Sequence, residues 1–367
     1  MPKPTAVTWG EYINQNLPSI TNLLNGESIT LNNDQPHIKG ERFLMQALTT
    51  LGGKKIILIG HSQKDNRPVV IKVATDTDGA NEIKHERLCR DSLNKMDFAY
   101  DQYFYPKELL FKETKKFTII VNEFIDQTGQ FIDRDIETQF ELILNALNNQ
   151  AQAQATTAKH LKSVIRTFGS RNSSDYINLH KSFVETCHKL LPDSKIQETL
   201  QESHKLLEAS KVKIDRYGYF LTHTDFVPHN FRIKDGVLYY LDSSSFRFAN
   251  KHEGWARLLN FMTLYNRKLE RLLIEYVENN YAVEERESLQ LMRIHRLGEI
   301  ITYYVNTLKN SSGDLLTLNS LRVDFWHEVL KAELKNQRVS QRIVDEYIYQ
   351  RDQLRSVEEK QRQVGLH

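Results

Sequence analysis

The sequence predicts an α+β chain of two lobes, a small β-rich lobe over residues 1–125 and a larger, mostly helical lobe over residues 126–367. Short β-rich runs separated by turn residues dominate the first part. Apolar residues at helical spacing dominate the second. One β-rich island, over residues 217–242, interrupts the helical part. A ligand cleft is expected between two such lobes.

The first lobe begins with a polar, proline-interrupted extension over residues 1–40, which leaves room for a short helix over residues 9–24. Three runs then predict consecutive antiparallel strands, namely FLMQALTT, KIILIGHS and RPVVIKVAT. A helical pattern follows over residues 79–96. The runs QYFYP, ELLFKE and FTIIVNEFI predict further strands, so that the lobe is a small sheet with one inserted helix.

The second lobe is predicted as a set of helices, with a mobile connector as the alternative for the stretch QAQAQATTA. Within the island, YFLTH predicts a strand, TDFVPH a loop, and NFRI with VLYYLD a hairpin around the turn Lys234-Asp235-Gly236. Helical periodicity resumes at Trp255. The segment 339–364 is predicted as an amphipathic helix against the body or as a dimer contact.

Composition excludes several classes of function. The 367 residues carry a formal net charge of +2, so no excess cationic field exists to hold a nucleic acid. Two cysteines are too few for a disulfide framework. No secretory leader and no apolar run of eighteen residues are recognisable. We expect a cytoplasmic monomer or homodimer without a nucleic-acid or membrane partner.

The most informative motif is HTDFVPHN at residues 223–230, followed twelve residues later by Asp242. Asp225 on a loop, Asn230 five residues on, and Asp242 at the end of an apolar strand can place three oxygen-bearing side chains around one point. Such hard donors suit Mg²⁺, which binds through few protein ligands together with substrate phosphates. Two of the three side chains could hold a metal, which leaves the third as a base.

A lysine on an apolar strand is the second informative feature. Lys72 in PVVIKVA needs a partner, because a buried unpaired ammonium group loses its hydration. Glu86 in the following helix is the preferred candidate, and Glu82, four residues earlier on the same face, is its rival. The pair Gly52-Gly53 between the first two strands permits a tight turn whose N–H groups approach phosphates.

In this order the motifs resemble the kinase signature set, and most closely that of the aminoglycoside phosphotransferase and choline kinase superfamily, whose catalytic stretch is H-G-D-x-x-x-x-N. The resemblance covers residues 40–265 and implies a bilobal protein-kinase-like fold. It also implies an ATP-dependent, Mg²⁺-requiring phosphotransferase that acts on a hydroxyl group of a small molecule.

The resemblance further implies a role for each site residue. Asp225 would be the catalytic base, Asn230 and Asp242 would bind Mg²⁺, and His223 would orient the catalytic loop. The residues implied to bind the nucleotide are Lys72, held by Glu86, the loop glycines Gly52 and Gly53, and the backbone around Glu123 and Ile125.

Thr224 replaces the usual glycine before Asp225, and three serines follow Asp242. Two alternatives stay open. A protein kinase is disfavoured because the chain lacks D-F-G and A-P-E and has little room for an activation segment. A nucleotide-binding regulator without turnover is the other. The acceptor is not predicted, although an aminoglycoside or choline site would be expected to carry clustered carboxylates.

Overall fold

The computed structural model describes residues 7–35, 49–50, 55–98, 103–127, 129–192, 194–357 and residue 360. Gly52, Gly53 and most of the run FLMQALTT lie outside these described residues. Within them the strands are β1 (Val7–Thr8), β2 (Ile29–Leu31), β3 (Thr49–Thr50), β4 (Ile56–Ser62), β5 (Arg67–Ala74), β6 (Glu108–Glu113), β7 (Thr118–Glu123), β8 (Phe220–His223), β9 (Phe231–Lys234), β10 (Val237–Tyr240) and β11 (Phe246–Ala249).

The helices fall mainly after residue 130. They are α1 (Trp9–Gly26), α2 (Thr77–Asn94), α3 (Ile136–Gln152), α4 (Gln154–Lys159), α5 (Leu161–Phe168), α6 (Ser173–Leu190), α7 (Lys195–Ala209), α8 (Lys211–Arg216), α9 (Glu253–Tyr265), α10 (Arg267–Asn280), α11 (Val283–Leu308), α12 (Gly313–Leu334) and α13 (Gln341–Gln353). The two-lobed α+β fold predicted from the sequence is confirmed.

The amino-terminal lobe is an antiparallel five-stranded sheet in the order β2-β4-β5-β7-β6. On its central strand β5, Val69, Ile71 and Val73 are fully buried in the core that α1 shares with the sheet. Because side chains alternate along a strand, Lys72 points to the opposite face. That face packs against α2.

The β-rich island of the second lobe forms two short pairings, β8 with β11 and β9 with β10. The β9–β10 hairpin turns at Asp235 and Gly236, whose φ values are 52° and 76°. Two successive positive φ values are typical of a two-residue type I′ turn, which matches the right-handed twist of the strands. The hairpin brings Asp242 back beside the end of the catalytic stretch.

The structure departs from the sequence predictions in part of the chain. Of the run QYFYP, residues 103–106 are described, and among these only Phe104 forms a bridge, with Tyr239, so they are not an extended strand. The stretch QAQAQATTA is helical and not a connector, because it spans the end of α3 and the start of α4. β11 was not predicted, since FRFAN follows three serines and carries no turn signal of its own.

We expect Gly236→Ala to lower the urea midpoint of unfolding. Its φ of 76° is left-handed, and nothing within 4 Å opposes a Cβ there, so the cost is backbone strain alone. That strain is about 1 kcal/mol. Gly26→Ala is the matched control, because that glycine is also open but ends a helix. The control should be neutral or stabilising by up to about 1 kcal/mol. Equal effects of the two variants would contradict the turn assignment.

Candidate active site

The cleft face of the sheet carries a buried ion pair. Lys72 Nζ donates to Glu86 Oε1 at 2.6 Å, and the two side chains are 12% and 5% exposed. Lys72 Nζ also donates to the carbonyl oxygen of Leu241 in the second lobe, at 3.0 Å. The structure thus pairs Lys72 with Glu86, the partner preferred from the sequence. It also brings the lysine next to Asp242.

The rival carboxylate, Glu82, has another partner. Its Oε2 lies 3.2 Å from Lys55 Nζ, and its side chain is 61% exposed. Burial lowers the pKa of Lys55, but the carboxylates of Asp242, Glu86 and Glu82 outweigh it and raise that pKa overall. A second lysine therefore faces the cleft beside Asp242. The sequence reasoning missed it because Lys55 lies just before the first residue of β4, where a lysine whose head reaches water is ordinary.

The catalytic stretch begins where β8 ends. His223 is fully buried, its backbone N–H donates to Gln150 Oε1 at 2.8 Å, and its Nε2 donates to the carbonyl oxygen of Asp242 at 2.9 Å. Burial lowers the pKa of His223, so the ring is neutral at neutral pH. The ring ties the segment of Asp225 to that of Asp242, an arrangement that suits an orienting role.

The carboxylate of Asp225 is held on both oxygens. Asn230 Nδ2 donates to its Oδ2 at 2.7 Å, and Arg257 Nε donates to its Oδ1 at 2.6 Å. Burial raises its pKa, but Arg257, Arg296 and His229 outweigh that effect and hold the pKa well below the usual range for an aspartate. Asp225 is therefore a carboxylate throughout the neutral range, with 36% of its side chain exposed.

The serines after Asp242 cap its carboxylate. Ser244 donates to Oδ1 through its N–H at 3.1 Å and its hydroxyl at 2.5 Å, and Ser245 donates its hydroxyl to Oδ2 at 2.8 Å. Burial raises the pKa of Asp242, but Lys72, Lys55 and the Ser244 hydrogen bond lower it to about 2. The serines therefore hold the Asp242 carboxylate in place. Their departure from the family pattern does not remove a charged group from the site.

Thr224 is accommodated without strain. Its φ is not among the positive values, and its N–H and hydroxyl donate to the carbonyl oxygen of Ser245 at 2.9 and 2.8 Å. The departure from the glycine of the family pattern thus adds a tie between the catalytic loop and the serine turn.

Asn230 and Asp242 offer the donor set that Mg²⁺ prefers. The N–H of Leu241 donates to the carbonyl oxygen of Asn230 at 2.9 Å, which places the two residues side by side. One amide oxygen and one ionised carboxylate are hard ligands, and a carboxylate has lone pairs beyond those that the serines use. These two side chains therefore fit Mg²⁺ and would be two of its ligands.

The segment whose backbone was predicted to bind the nucleotide, around Glu123 and Ile125, lies at the end of β7 and just after it. The N–H of Glu123 donates to the carbonyl oxygen of Lys107 at 2.9 Å, and its carboxylate accepts from the N–H of Lys107 at 2.9 Å. The N–H of Phe124 donates to the carbonyl oxygen of Pro68 at 3.2 Å. Ile125 is 5% exposed. The N–H groups of Glu123 and Phe124 are therefore both already hydrogen-bonded to neighbouring segments of the sheet.

A cavity of about 520 Å³ opens beside Asp225. That size suits a small molecule. Its wall comes from the catalytic loop and from α9, α11, α12 and α13, and five of its lining residues are arginines, namely Arg171, Arg257, Arg296, Arg322 and Arg355. Close packing of α9 on β8 places Arg257 at Asp225, because a Cβ on Gly254 would lie 2.9 Å from the carbonyl oxygen of His223.

The sequence reasoning missed these arginines. Arg257, Phe261 and Leu264 recur at helical spacing on α9, as Arg296, Ile300 and Tyr304 do on α11. Arginine inside such an apolar stripe was the available signal.

No protein-family model matches the sequence, and no curated protein matches it. Solved structures do match by fold. Amicoumacin kinase hAmiN, in complex with AMP-PNP, Ca²⁺ and Ami, is 11% identical with a TM-score of 0.56, covering 90% of this chain and 97% of its own.

A thermostable mutant of aminoglycoside phosphotransferase APH(4)-Ia, in its apo form, is 12% identical with a TM-score of 0.55, covering 75% of this chain and 93% of its own. The chain has the bilobal fold of the aminoglycoside phosphotransferases. At such identities the likeness shows the fold alone. Among the described residues, no helix is both long enough and apolar enough to cross a membrane.

We expect Asp242→Asn to cost stability fully above about pH 4, and we expect that cost to shrink as the pH falls from about 4 towards 2. A carboxylate with a pKa of about 2 in the folded protein and an ordinary one near 3.9 when unfolded stabilises the fold above the higher value. This contribution, about 2 to 3 kcal/mol at most, fades as pH falls through the folded pKa. Urea unfolding of both proteins between pH 7 and pH 2.5 measures it.

Asp235→Asn, in the exposed turn of the same hairpin, is the control, because asparagine tolerates the same left-handed conformation. Its difference from wild type should stay constant with pH. A constant difference for Asp242→Asn would mean that the lysines do not depress the pKa of Asp242.

Proposed function

We propose that the protein is an ATP-dependent phosphotransferase that moves the γ-phosphoryl group to a hydroxyl of a small molecule. One observation carries the proposal. The Asp225 carboxylate, held by Asn230, lines a cavity of about 520 Å³, while Lys72 of the sheet donates a hydrogen bond to the carbonyl oxygen of Leu241, beside Asp242. In this proposal the phosphates bind on the side of Lys72, the acceptor binds in the cavity at Asp225, and the two sides meet at the HTDFVPHN motif.

Lys72 and Lys55 supply positive charge on the nucleotide side. Glu86 fixes the position of the Lys72 ammonium group, and Lys55 lies close enough to Asp242 for their charges to interact. Phosphoryl transfer depends mostly on positioning and on neutralising the phosphate oxygens. Two lysines on one face of a rigid sheet suit the α- and β-phosphates of ATP.

Asp225 orients the acceptor. The bond from the γ-phosphorus to the bridging oxygen of ATP breaks, a bond to the acceptor oxygen forms, and ADP leaves. Because its pKa is held low, Asp225 accepts a hydrogen bond from the hydroxyl and takes the proton only as the new bond forms. Arg257 and Asn230 keep the carboxylate aimed while this happens.

Asn230 and Asp242 would hold Mg²⁺ through their side-chain oxygens, as the family resemblance implies. The ion would neutralise charge on the β- and γ-phosphate oxygens. The serine hydroxyls on Asp242 keep its carboxylate ionised and in one orientation.

We expect Asp225→Asn to lower ADP release by about 100-fold or more, the usual contribution of a positioned acid or base. Release is measured with Mg-ATP and a small-molecule extract of cells. The affinity for Mg-AMP-PNP, measured by calorimetry, should change less than about threefold, because Asp225 lies on the acceptor side. Asp235→Asn is the control and should match wild type in both assays.

If folded wild type binds Mg-AMP-PNP but releases no ADP beyond the Asp225→Asn level with any extract, the transferase assignment is wrong. A nucleotide-binding regulator would then explain the site.

A further inference from the structure

Arg257 uses only part of its guanidinium group to hold Asp225. Its Nε donates to Asp225 Oδ1 at 2.6 Å, and within the described part of the chain no other hydrogen bond or ion pair involves this guanidinium group. The side chain is 17% exposed and lines the cavity, and both Nη atoms remain accessible to solvent. Two donor groups next to Asp225 are therefore open to whatever enters the cavity.

Another arginine acts on Asp225 through its charge, but its guanidinium group is engaged elsewhere. Arg296 Nη1 lies 2.6 Å from Glu299 Oε2 and 3.6 Å from Glu253 Oε1. Arg257 differs from Arg296 because its carboxylate partner is Asp225 itself. A group that binds beside Asp225 meets Arg257 first.

Backbone packing fixes the position of Arg257. Gly254, three residues earlier on α9, lies against β8, where a Cβ would come within 2.9 Å of the carbonyl oxygen of His223. Residues three apart lie on the same face of a helix, so this close contact directs Arg257 to the catalytic loop. A donor that is in place before the reaction costs no reorganisation during it.

The charge of Asp225 opposes the approach of a phosphoryl group. Burial raises the pKa of this carboxyl group, but Arg257, Arg296 and His229 hold the pKa well below its usual range, so the group is anionic. An acceptor oxygen that is hydrogen-bonded to Asp225 and poised for attack places the γ-phosphorus within about 6 Å of the carboxylate. Two anions this close repel each other, and a cation between them removes the repulsion.

The chemistry of guanidinium suits this place. Its N–H donors form a planar fork that matches two oxygens of a phosphoryl group, and it stays protonated at neutral pH. The Nε–H of Arg257 is used on Asp225, which leaves the Nη donors for a second anion. In phosphoryl transfer the negative charge is spread over the equatorial oxygens of the transferred group, and a positioned arginine stabilises that charge.

We infer that Arg257 is a second catalytic residue of the phosphotransferase, which keeps its Nε on Asp225 and donates its Nη groups to the transferred phosphoryl group. This inference rests on the proposed function and adds a contact that holding Asp225 does not require. The acceptor oxygen bonds to the γ-phosphorus, the bond to the bridging oxygen breaks, and ADP keeps that electron pair. The hydroxyl proton passes to Asp225, while Arg257 neutralises charge and exchanges no proton.

A phosphoryl mimic measures this contact without an acceptor. Calorimetry compares the affinity of Mg-ADP alone with that of Mg-ADP in the presence of aluminium fluoride, an anionic mimic of the phosphoryl group between donor and acceptor. Wild type should bind Mg-ADP at least about tenfold more tightly with aluminium fluoride, the gain from one charge-assisted hydrogen bond. Arg257→Met should lose this gain and leave the affinity for Mg-ADP alone unchanged.

Two further variants accompany Arg257→Met. Arg257→Lys keeps the charge but loses the fork, so it should retain part of the gain. Arg342→Met, which replaces an exposed arginine on α13 outside the cavity lining, is the control and should match wild type.

Turnover is measured as ADP release with Mg-ATP and the cell extract used for Asp225→Asn. Arg257→Met should lower the rate at saturating ATP by about 100-fold or more, the usual effect of removing a donor to the transition state. The KM for ATP should stay unchanged, because the contact forms with the transferred group and not with ADP.

Asp225→Asn separates a direct contact from a positioning role. This variant removes the charge that Arg257 holds, so a direct contact predicts that it keeps the aluminium fluoride gain and that Asp225→Asn/Arg257→Met loses it. The double variant leaves no carboxylate without its cation, so it tests the contact even if Arg257→Met folds poorly. If Arg257 only aims Asp225, adding Arg257→Met to Asp225→Asn changes nothing.

No aluminium fluoride gain in wild type, a gain that persists in the double variant, or undiminished ADP release by Arg257→Met would overturn the inference. ADP release that depends on Asp225 but not on Arg257 would overturn the inference and uphold the transferase. A gain that requires Arg257, without ADP release above the Asp225→Asn level in any extract, would contradict the transferase and with it the catalytic role.

Discussion

The contact between Lys72 and Glu86 determines how the rest of the site is arranged. It joins the central strand β5 to α2, and the same ammonium group reaches the carbonyl oxygen of Leu241 in the second lobe. A buried lysine needs such partners, because its charge is costly to remove from water. This one side chain therefore holds the sheet, the helix α2 and the segment that leads from the β9–β10 hairpin to Asp242 in a fixed arrangement.

The charged side chains follow a fixed order across the cleft, which begins at this ion pair. Lysines lie on the sheet side, Asp242 lies between them and the catalytic loop, and Asp225 lies next to Arg257. Each carboxylate is kept ionised by a cation or by hydroxyl donors. Their separation gives the two carboxylates two environments; under the proposed function, Asp242 would face phosphates and a metal and Asp225 would face an acceptor hydroxyl.

Much of this could be predicted from the sequence because the signals are local. The strand lysine, the helix glutamate and the spacing from Asp225 to Asn230 and Asp242 are each read within a few residues. The choice of Glu86 over Glu82 followed only from the expected pattern, and the structure explains it by the burial of Glu86 and the exposure of Glu82.

The cavity at Asp225 could not be predicted in this way. Arg257, Arg296 and Arg322 come from three helices, and only the packing of α9, α11 and α12 brings them to one surface. An arginine in an amphipathic helix is ordinary on its own, since its stem packs on apolar surface while its head reaches water. The strand β11 was missed for a related reason, because its pairing partner β8 is more than twenty residues away.

Calorimetric binding of Mg-AMP-PNP to wild type, Lys72→Met, Glu86→Gln and Glu82→Gln tests the central claim most directly. If the buried pair positions the nucleotide, Lys72→Met and Glu86→Gln weaken binding by about tenfold or more, the loss of one charge-assisted contact. Glu82→Gln, whose side chain is 61% exposed, stays close to wild type. Unchanged affinity in folded Lys72→Met and Glu86→Gln, or a loss as large in Glu82→Gln, would contradict the account.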